Sequence, residues 1–481
     1  MPRAMLGFGE WKPDLPGPQD GLVVAENVTP VANGYAPFPG FEAVTGGTLP
    51  AWPIGADAFR GEDGLTTIIA GTSNQLYRFN AGAWQNISGP FAFSANEDFG
   101  WSFAQFGTRI LCANGVDQIY YYDQATRAPV LQLPNSPRAR ILAIVANEFI
   151  VGGIINGDVM QLQWSGINNS EEWRPGFGQS DFQKLPTGGA ITGLTGGEYG
   201  LILQEERISR LRYVGGNVIF QIDPITNEVG CVHLRSVAQL GRLTFFLSPR
   251  GFMVCDGSTV TPIGDEKVDR TFLDAVQAGW QGRMSAAVDP VRKSVMWTVP
   301  EQNPGVWYCY YWTLQRWAKV VMPAALIFRN RARDFTIGED FDQGADLLLG
   351  TGLPFGSPVF RGGEPSTAVF DASFRLGTLT GPNMAARFQT SPVTLAGGRE
   401  TRVRKLRPLI DAPAGVSVTL DREPRFGGTN EQRSYTTTRA SGDMPARMAA
   451  RHLVATVDVP AGAAWTFAQG LEVEFEAGAG Q

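Results

Sequence analysis

Short apolar runs fill this chain, and small or turn-forming residues separate them. TTIIAGT from Thr66 is followed by a turn at Ser73-Asn74, by the alternating run QLYRFN, and by AWQNIS around Trp84. The same order of apolar strand, turn, second strand, turn and late aromatic returns in WSFAQF with TRILCAN and QIYYYD. It returns again in ILAIVANEFIVGG with VMQLQWSG, and in ITGLTGGEYGLILQ with RISRLRYVGG and VIFQID. SVAQLGRLTFFLSPRGFMVCDG from Ser236 and SAAVDPVRKSVMWTV with WYCYYWTLQRWAKV continue the series, and LIFRNRARDFTI from Leu326 with LLLGT, VFRG and AVFD forms a weaker last copy. Continuous apolar runs such as ILAIV predict strands buried on both faces, and alternating runs such as QLYRFN predict strands with one wet face.

Aligning the second strand of each copy on Ile69, Ile110, Ile150, Ile202, Phe246, Met296 and Leu348 gives a repeat of roughly 40 to 52 residues, the range of propeller blades. A lone meander of three or four short strands cannot bury both faces, whereas blades stacked around an axis bury each face on a neighbour. The pattern therefore predicts an all-β fold, a β-propeller of six to seven blades over residues 49–376. One segment departs from it: in EKVDRTFLDAVQAGW, Val268, Phe272 and Val276 recur every fourth residue behind Asp265 and Glu266, which predicts a short amphipathic helix between blades. Beyond about Leu376, strands around KLRPLID, VSVTLDRE, LVATVDVP and LEVEFEA predict a C-terminal β-sandwich-like domain over 377–481. Residues 1–48, with Pro13, Pro16, Pro18, Pro30, Pro37 and Pro39, predict an extended N-terminal arm able to reach a neighbour.

Composition agrees with many tight turns: the 481 residues include 58 Gly and 32 Pro. A net charge of -6 provides no global positive field for a polyanion, which argues against tight nucleic-acid binding. Cys112, Cys231, Cys255 and Cys309 are far apart, without a Cys-x-x-Cys pair, and are expected as buried thiols. No apolar run suits a signal peptide or a membrane-spanning helix, so synthesis in a cytoplasm is expected.

Catalytic chemistry has little raw material. The only histidines, His233 and His452, fall in different predicted domains, so no metal site is expected, and His233 is expected half-buried on a blade strand. Asp98, Asp158, Asp223, Asp256 and Asp289 are imaginable as a glycosidase pair, but most stand beside Gly or Pro, where a short acceptor closes a turn. Gly152-Gly153, Gly188-Gly189, Gly196-Gly197 and Gly215-Gly216 open no helix after a strand and are expected as blade turns, not phosphate loops. Trp84, Trp101, Trp164, Trp173, Trp297, Trp307, Trp312 and Trp317 recur at blade spacing and are expected to pack between blades rather than to line a sugar site. The concentrated basic run is Arg399, Arg402, Arg404, Lys405 and Arg407. Strict alternation would put Arg402 and Arg404 on one face and Lys405 and Arg407 on the other. That run is a candidate contact for DNA or for a neighbouring subunit, weighed against plain solvated charge and pairing.

The stretch ENVTPVANGYAPFPGFE from Glu26, with Asn27, Pro30, Gly34, Tyr35, Pro37, Pro39 and Gly40, resembles the opening of short-tailed phage (podovirus) tail nozzle proteins, also called tail tubular protein B, and of packaged-DNA stabilisation proteins of the tail hub. RLTFFLSPRGFMVCDGSTVTPIGDEKVDRTF and VRKSVMWTVP followed by WYCYYWTLQRWAKV extend the likeness. The resemblance implies a structural, non-enzymatic virion subunit without cofactors or a small-molecule substrate. It implies a homohexameric ring below portal and adaptor proteins, with needle, spike or fibre proteins adjacent. Such a ring retains packaged DNA and passes double-stranded DNA during ejection, and the N-terminal motif would serve assembly. The alternative from another class is a carbohydrate-binding or glycoside-processing propeller, which requires the acidic side chains to converge on one aromatic-walled axial pocket.

Overall fold

The computed structural model describes residues 2–15, 20–80, 82–276, 283–299, 305–331, 365–397, 399–412, 415–423, 431–436, 438–439 and 441–477. Among them are six separate four-stranded sheets, and the first four strands of a nine-stranded sheet make a seventh unit of the same kind. Blades 1 to 6 span 55–86, 102–132, 139–184, 191–226, 238–262 and 285–321. Blade 7 lies within 326–378 and takes its outermost strand, Glu42–Thr48, from the other end of the chain. The protein is a β-propeller with seven blades.

The blades bury what the sequence pattern says they must. The second strands Phe149–Ile155, Gly200–Gln204 and Ser294–Val299 are buried at every position, because both of their faces meet a neighbouring blade. Ile69, Ile110, Ile150, Ile202, Phe246 and Met296 all fall in second strands, as the repeat alignment requires. Leu348 lies outside the described residues, and the second strand of blade 7 is Pro365–Phe370 instead. Blade 7 departs from the repeat because residues 332–364 separate its first strand from its second, and its last strand comes from before blade 1, a pairing that no local spacing contains.

Trp101, Trp164, Trp173, Trp297, Trp307 and Trp317 are almost fully buried, while Trp84 and Trp312 are half-buried. Trp317 stacks 5.8 Å from Trp297 and lies tilted 4.9 Å from Phe252, and its indole N–H donates to the Ile263 carbonyl at 2.8 Å. Trp317 buries apolar area and also satisfies its one donor, so it ties blade 6 to the end of blade 5 in direction as well as in energy. The ring closes where the inner strand Leu326–Arg331 lies beside the inner strand Gly55–Arg60. There Phe328, Phe370, Leu49 and Tyr77 share a core, and Arg329 pairs with Asp57 at 2.9 Å.

The N-terminal residues are not an arm held away from the body. Arg3–Gly7, Val28–Val31 and Gly34–Pro37 join a sheet with Thr401–Ile410, Met444–Ala450 and Ala468–Ala477. Leu22–Glu26 inserts between the outermost strand of blade 6, Arg316–Val321, and Ala386–Thr390, which continues through His452–Val459 and Ser417–Glu423 to Glu431–Tyr435. The nine-stranded sheet is therefore half blade and half C-terminal sheet. Apolar side chains of both C-terminal sheets, among them Phe388, Val418, Val457, Leu471 and Val473, belong to one core with those of blades 5 and 6. Proline dictates extended backbone here, and extended backbone satisfies its remaining donors most cheaply by joining a sheet.

The predicted helix is Asp269–Ala275, with Val268 and Phe272 buried. The other three glycine pairs lie in connections, Gly188-Gly189 in a bend between blades 3 and 4 and Gly196-Gly197 and Gly215-Gly216 where hairpin strands join, but Gly152 and Gly153 lie inside the strand Phe149–Ile155, next to a register shift with Ile154 at φ 56°. The pair marks a β-bulge rather than a turn, the other common reason for glycine in a strand.

Trp317→Ala should cost about 3–5 kcal/mol of unfolding free energy, read from the denaturant midpoint at unchanged slope. Removing residues 2–40 should strip the C-terminal sheets yet leave the closing strand. Removing 2–48 should also open the propeller and broaden the unfolding transition, and equal cooperativity of the two truncated chains would contradict the closure described above.

Candidate functional site

The N-terminal motif forms the junction between propeller and C-terminal sheets. Asn27 sits at φ 59°, a left-handed conformation that Asn tolerates better than other non-glycine residues. Its backbone N–H donates to the Lys319 carbonyl at 2.8 Å, its Nδ2 donates to the Ala385 carbonyl at 2.8 Å, and its Oδ1 accepts from the Val321 N–H at 2.8 Å. One side chain thus bonds blade 6 and the segment leading into the next strand. Glu26 and the Lys319 Nζ pair beside it at 2.9 Å.

Gly34 has φ 118°, and a Cβ there would stand 2.2 Å from the Ala468 carbonyl oxygen, so only glycine fits. Tyr35 is fully buried, donates to the Gly9 carbonyl at 2.8 Å, and has its phenol pushed up to about 12, chiefly by burial. The Arg316 guanidinium lies 4.8 Å from the Tyr35 ring centre and donates to the carbonyls of Val31 and Gly9, each at 2.9 Å. Pro30 pairs across the hairpin with Tyr35 and Pro37 with Val28, while Pro39 bridges Asn383 and Gly40 donates to the Pro382 carbonyl. Each motif residue has its partner within this same chain. Arg316, which holds the motif down, carries no sequence signal beyond standing in an apolar strand.

The basic run corrects the alternation expected of it. A β-bulge falls at Arg404, between the register positions Val403 and Lys405, so Val403 and Leu406 both point into the core although three residues apart. Lys405 and Arg407 consequently share the outer face with Arg402, and the split patch becomes one-sided. The neighbouring strand supplies acid along it: Arg404 pairs with Glu476 at 2.7 Å, Lys405 with Glu474 at 3.7 Å, and Arg407 with Glu472 at 3.9 Å and Asp443 at 3.1 Å. Arg399 and Arg402 are exposed and take no part in these pairs. Most of the run is therefore cross-strand pairing, of the kind that orders two strands without a strong external field.

The carboxylates do not form one site. Asp158 accepts from the Met160 N–H and pairs with Lys184 at 2.6 Å, and Asp223 lies near Arg210 and Arg212. Asp256 accepts from the N–H groups of Ser258 and Thr259, which hold its carboxyl far below the usual range. Asp289 is buried, accepts from the Arg292 N–H and pairs with that guanidinium at 2.6 Å. Asp98 stands apart on an exposed loop. Cys112, Cys231, Cys255 and Cys309 are buried free thiols whose burial pushes their pKa up, so none is poised as a nucleophile. Among the described residues no cluster of metal-ligating side chains occurs. Grooves of about 470 Å³, between blades 5 and 6, and about 220 Å³, between blades 4 and 5, are lined by turn and strand residues such as Thr259, Lys267 and Gln239.

His233 is not on a blade strand. It precedes the 3-10 turn Leu234–Ser236 in the connection from blade 4 to blade 5, where its Nδ1 accepts from the Arg235 N–H. Burial, with Arg235 beside it, pushes its pKa down to about 4. A second unforeseen cluster lies where the N-terminal residues cross the helix. Asp14 accepts from the N–H groups of Arg270 and Thr271 and from the Thr271 hydroxyl, so a residue remote in sequence caps the helix. Asp269 behind it is buried, with its carboxyl pushed up to about 7 by burial, against the Phe252 N–H that donates to it and with Asp14 and Asp265 adding to the rise.

No family model matches the chain, and no curated protein matches it. Solved structures resemble it in fold at low identity. The β-propeller domain of Cps50 (Swd1) from Myceliophteria thermophila is 9% identical, covers 70% of this chain and 98% of its own, and aligns with a TM-score of 0.41. BamB from Moraxella catarrhalis is 11% identical over 68% of this chain and 92% of its own, with a TM-score of 0.34. The Pan2 WD40 domain of Neurospora crassa is 11% identical over 60% and 88%, with a TM-score of 0.37.

Asn27→Ala should destabilise by about 2 kcal/mol through its lost bonds and left-handed backbone, and Asn27→Gly by about 1 kcal/mol less, compared by urea denaturation. Because the Asp269 pKa rises on folding, the folded state binds the extra proton. Its contribution is fully present below about pH 4 and is lost as pH climbs toward 7. Asp269→Asn should therefore flatten the fall in stability between pH 4 and 7 and raise the denaturant midpoint at pH 8. An unchanged pH profile in that variant would contradict the assignment.

Proposed function

We propose that this chain is a structural subunit of a short-tailed phage tail, a component of the hub or nozzle ring that retains packaged DNA and then lets it out. The single observation that carries the reading is the nine-stranded sheet, in which blade 6, the N-terminal strand Leu22–Glu26 and the C-terminal strands form one continuous hydrogen-bonded surface. Such a sheet makes two β bodies move as one, as a conduit wall under internal pressure requires. The working principle is shape: rigid subunits side by side enclose a passage, and the passage does the work. Cross-strand acid along the basic run suits a wall that must release its cargo, since every strong phosphate contact would have to be broken during ejection. The expected setting is the virion tail, below portal and adaptor proteins and beside needle, spike or fibre proteins, with a homohexamer as the assembled form.

Electron microscopy of the purified chain, alone and mixed with portal and adaptor proteins, tests this. Six-fold rings, or a stoichiometric complex at the portal exit, are expected. A persistent monomer that binds neither protein, or turnover of a glycoside substrate, would count decisively against it.

A further inference from the structure

One end of the propeller axis is spanned by side chains. Ile54, Gly100 and Arg140 stand at or just before the inner strands of blades 1, 2 and 3, and Arg235 stands just before that of blade 5. The Arg235 guanidinium nevertheless donates to the Ile54 carbonyl, a contact between blades 5 and 1 that is possible in a seven-membered ring only across the axial mouth. Gly100, at φ 64°, leaves the space it occupies: a Cβ there would stand 1.9 Å from the Ile54 carbonyl oxygen and 2.1 Å from the Arg235 Nη2. The loop ahead of Gly100 is pinned by an Asn96 turn and carries Phe99. The Arg140 guanidinium lies 3.7 Å from the Phe99 ring centre, and the His233 ring stacks on Phe99 at 5.8 Å.

These groups form a donor set that no carboxylate neutralises, with the Ile54 carbonyl as the one acceptor of the Arg235 guanidinium among the described residues. Neither Arg140 nor Arg235 has a carboxylate at ion-pair distance among the described residues, although Arg109, Arg292, Arg329, Arg375 and Arg387 all do. The Arg140 Nε is buried with no hydrogen-bond partner. His233 Nδ1 accepts from the Arg235 N–H, which leaves the ring proton on Nε2 as a third donor. Glu97 and Asp98, exposed on the loop, act through space on Arg235, and Asp98 also on His233, but neither is at ion-pair distance from a guanidinium among the described residues. A desolvated guanidinium with unfilled donors is costly, and two oxygens of a carboxylate or a phosphate satisfy it with two parallel bonds.

We propose that the axial mouth is a binding site for a small oxyanion, a phosphate or carboxylate group, held between Arg140 and Arg235 with Phe99 and His233 as its wall. Each guanidinium reaches the anion from a different blade, so occupancy also ties blade 3 to blade 5 across the axis.

Titration calorimetry and thermal unfolding of the full chain test this, with inorganic phosphate and acetate as probes against sodium chloride at matched ionic strength. Saturable binding by at least one probe is expected, with a rise in melting temperature that follows its concentration. Arg140→Gln should weaken that binding at least tenfold. Tighter phosphate than acetate binding identifies a phosphate ligand, and the reverse a carboxylate. Arg235→Gln risks the fold, so Arg140→Gln, at the half-buried start of an inner strand, carries the test. Equal effects of phosphate, acetate and chloride, or wild-type affinity in Arg140→Gln, would overturn the proposal.

Discussion

A ring of small sheets holds together only if its last sheet is completed, and here the completing strand, Glu42–Thr48, comes from the beginning of the chain. Without it, blade 7 would present an unpaired edge at Arg375–Thr378, and unpaired edges invite promiscuous strand addition. This one pairing makes the propeller a closed body and also fixes where the first forty residues can go. They leave the rim of blade 7 and run to the neighbouring outer edge of blade 6. Their strands are used up there in joining the C-terminal sheets.

The joint is fixed in direction by bonds to backbone groups and held by apolar packing. Asn27 supplies bonds to two elements from a left-handed backbone, Arg316 gathers the carbonyls of Gly9 and Val31, and Tyr35 occupies the buried space between them. Directional bonds of this kind add little net energy each, but they leave one geometry in which every group is satisfied. Apolar packing then makes that geometry stable: the core around Trp297, Trp317 and Phe252 is continuous with that around Phe388 and Val457. A body assembled this way transmits force rather than absorbing it by hinge motion, and the proposed role in a tail wall depends on that property.

Chemistry is sparse where a reader of propellers looks first. The scattered aspartates close turns or pair locally, and the tryptophans are spent on blade contacts, so neither set builds a cleft. The donor groups without a carboxylate at the axial mouth are the exception. They come from Arg140 and, almost a hundred residues further on, from the neighbouring His233 and Arg235, which share no motif with it.

The propeller was legible in the chain because blade formation is local. Each meander pairs strands adjacent in sequence, so period, turn residues and apolar runs report it directly, and six of the second strands fall where the repeat puts them. The helix Asp269–Ala275 was legible for the same reason, from its four-residue spacing. Pairings between distant segments were not. Strand Glu42–Thr48 in blade 7, Leu22–Glu26 beside blade 6, Asp14 on the helix and Arg235 across the axis all depend on which surfaces meet after closure, and no local period encodes them. The bulge at Arg404 is the sharpest case. One extra residue moved Lys405 and Arg407 to the face of Arg402, because alternation holds only while both strands advance in step.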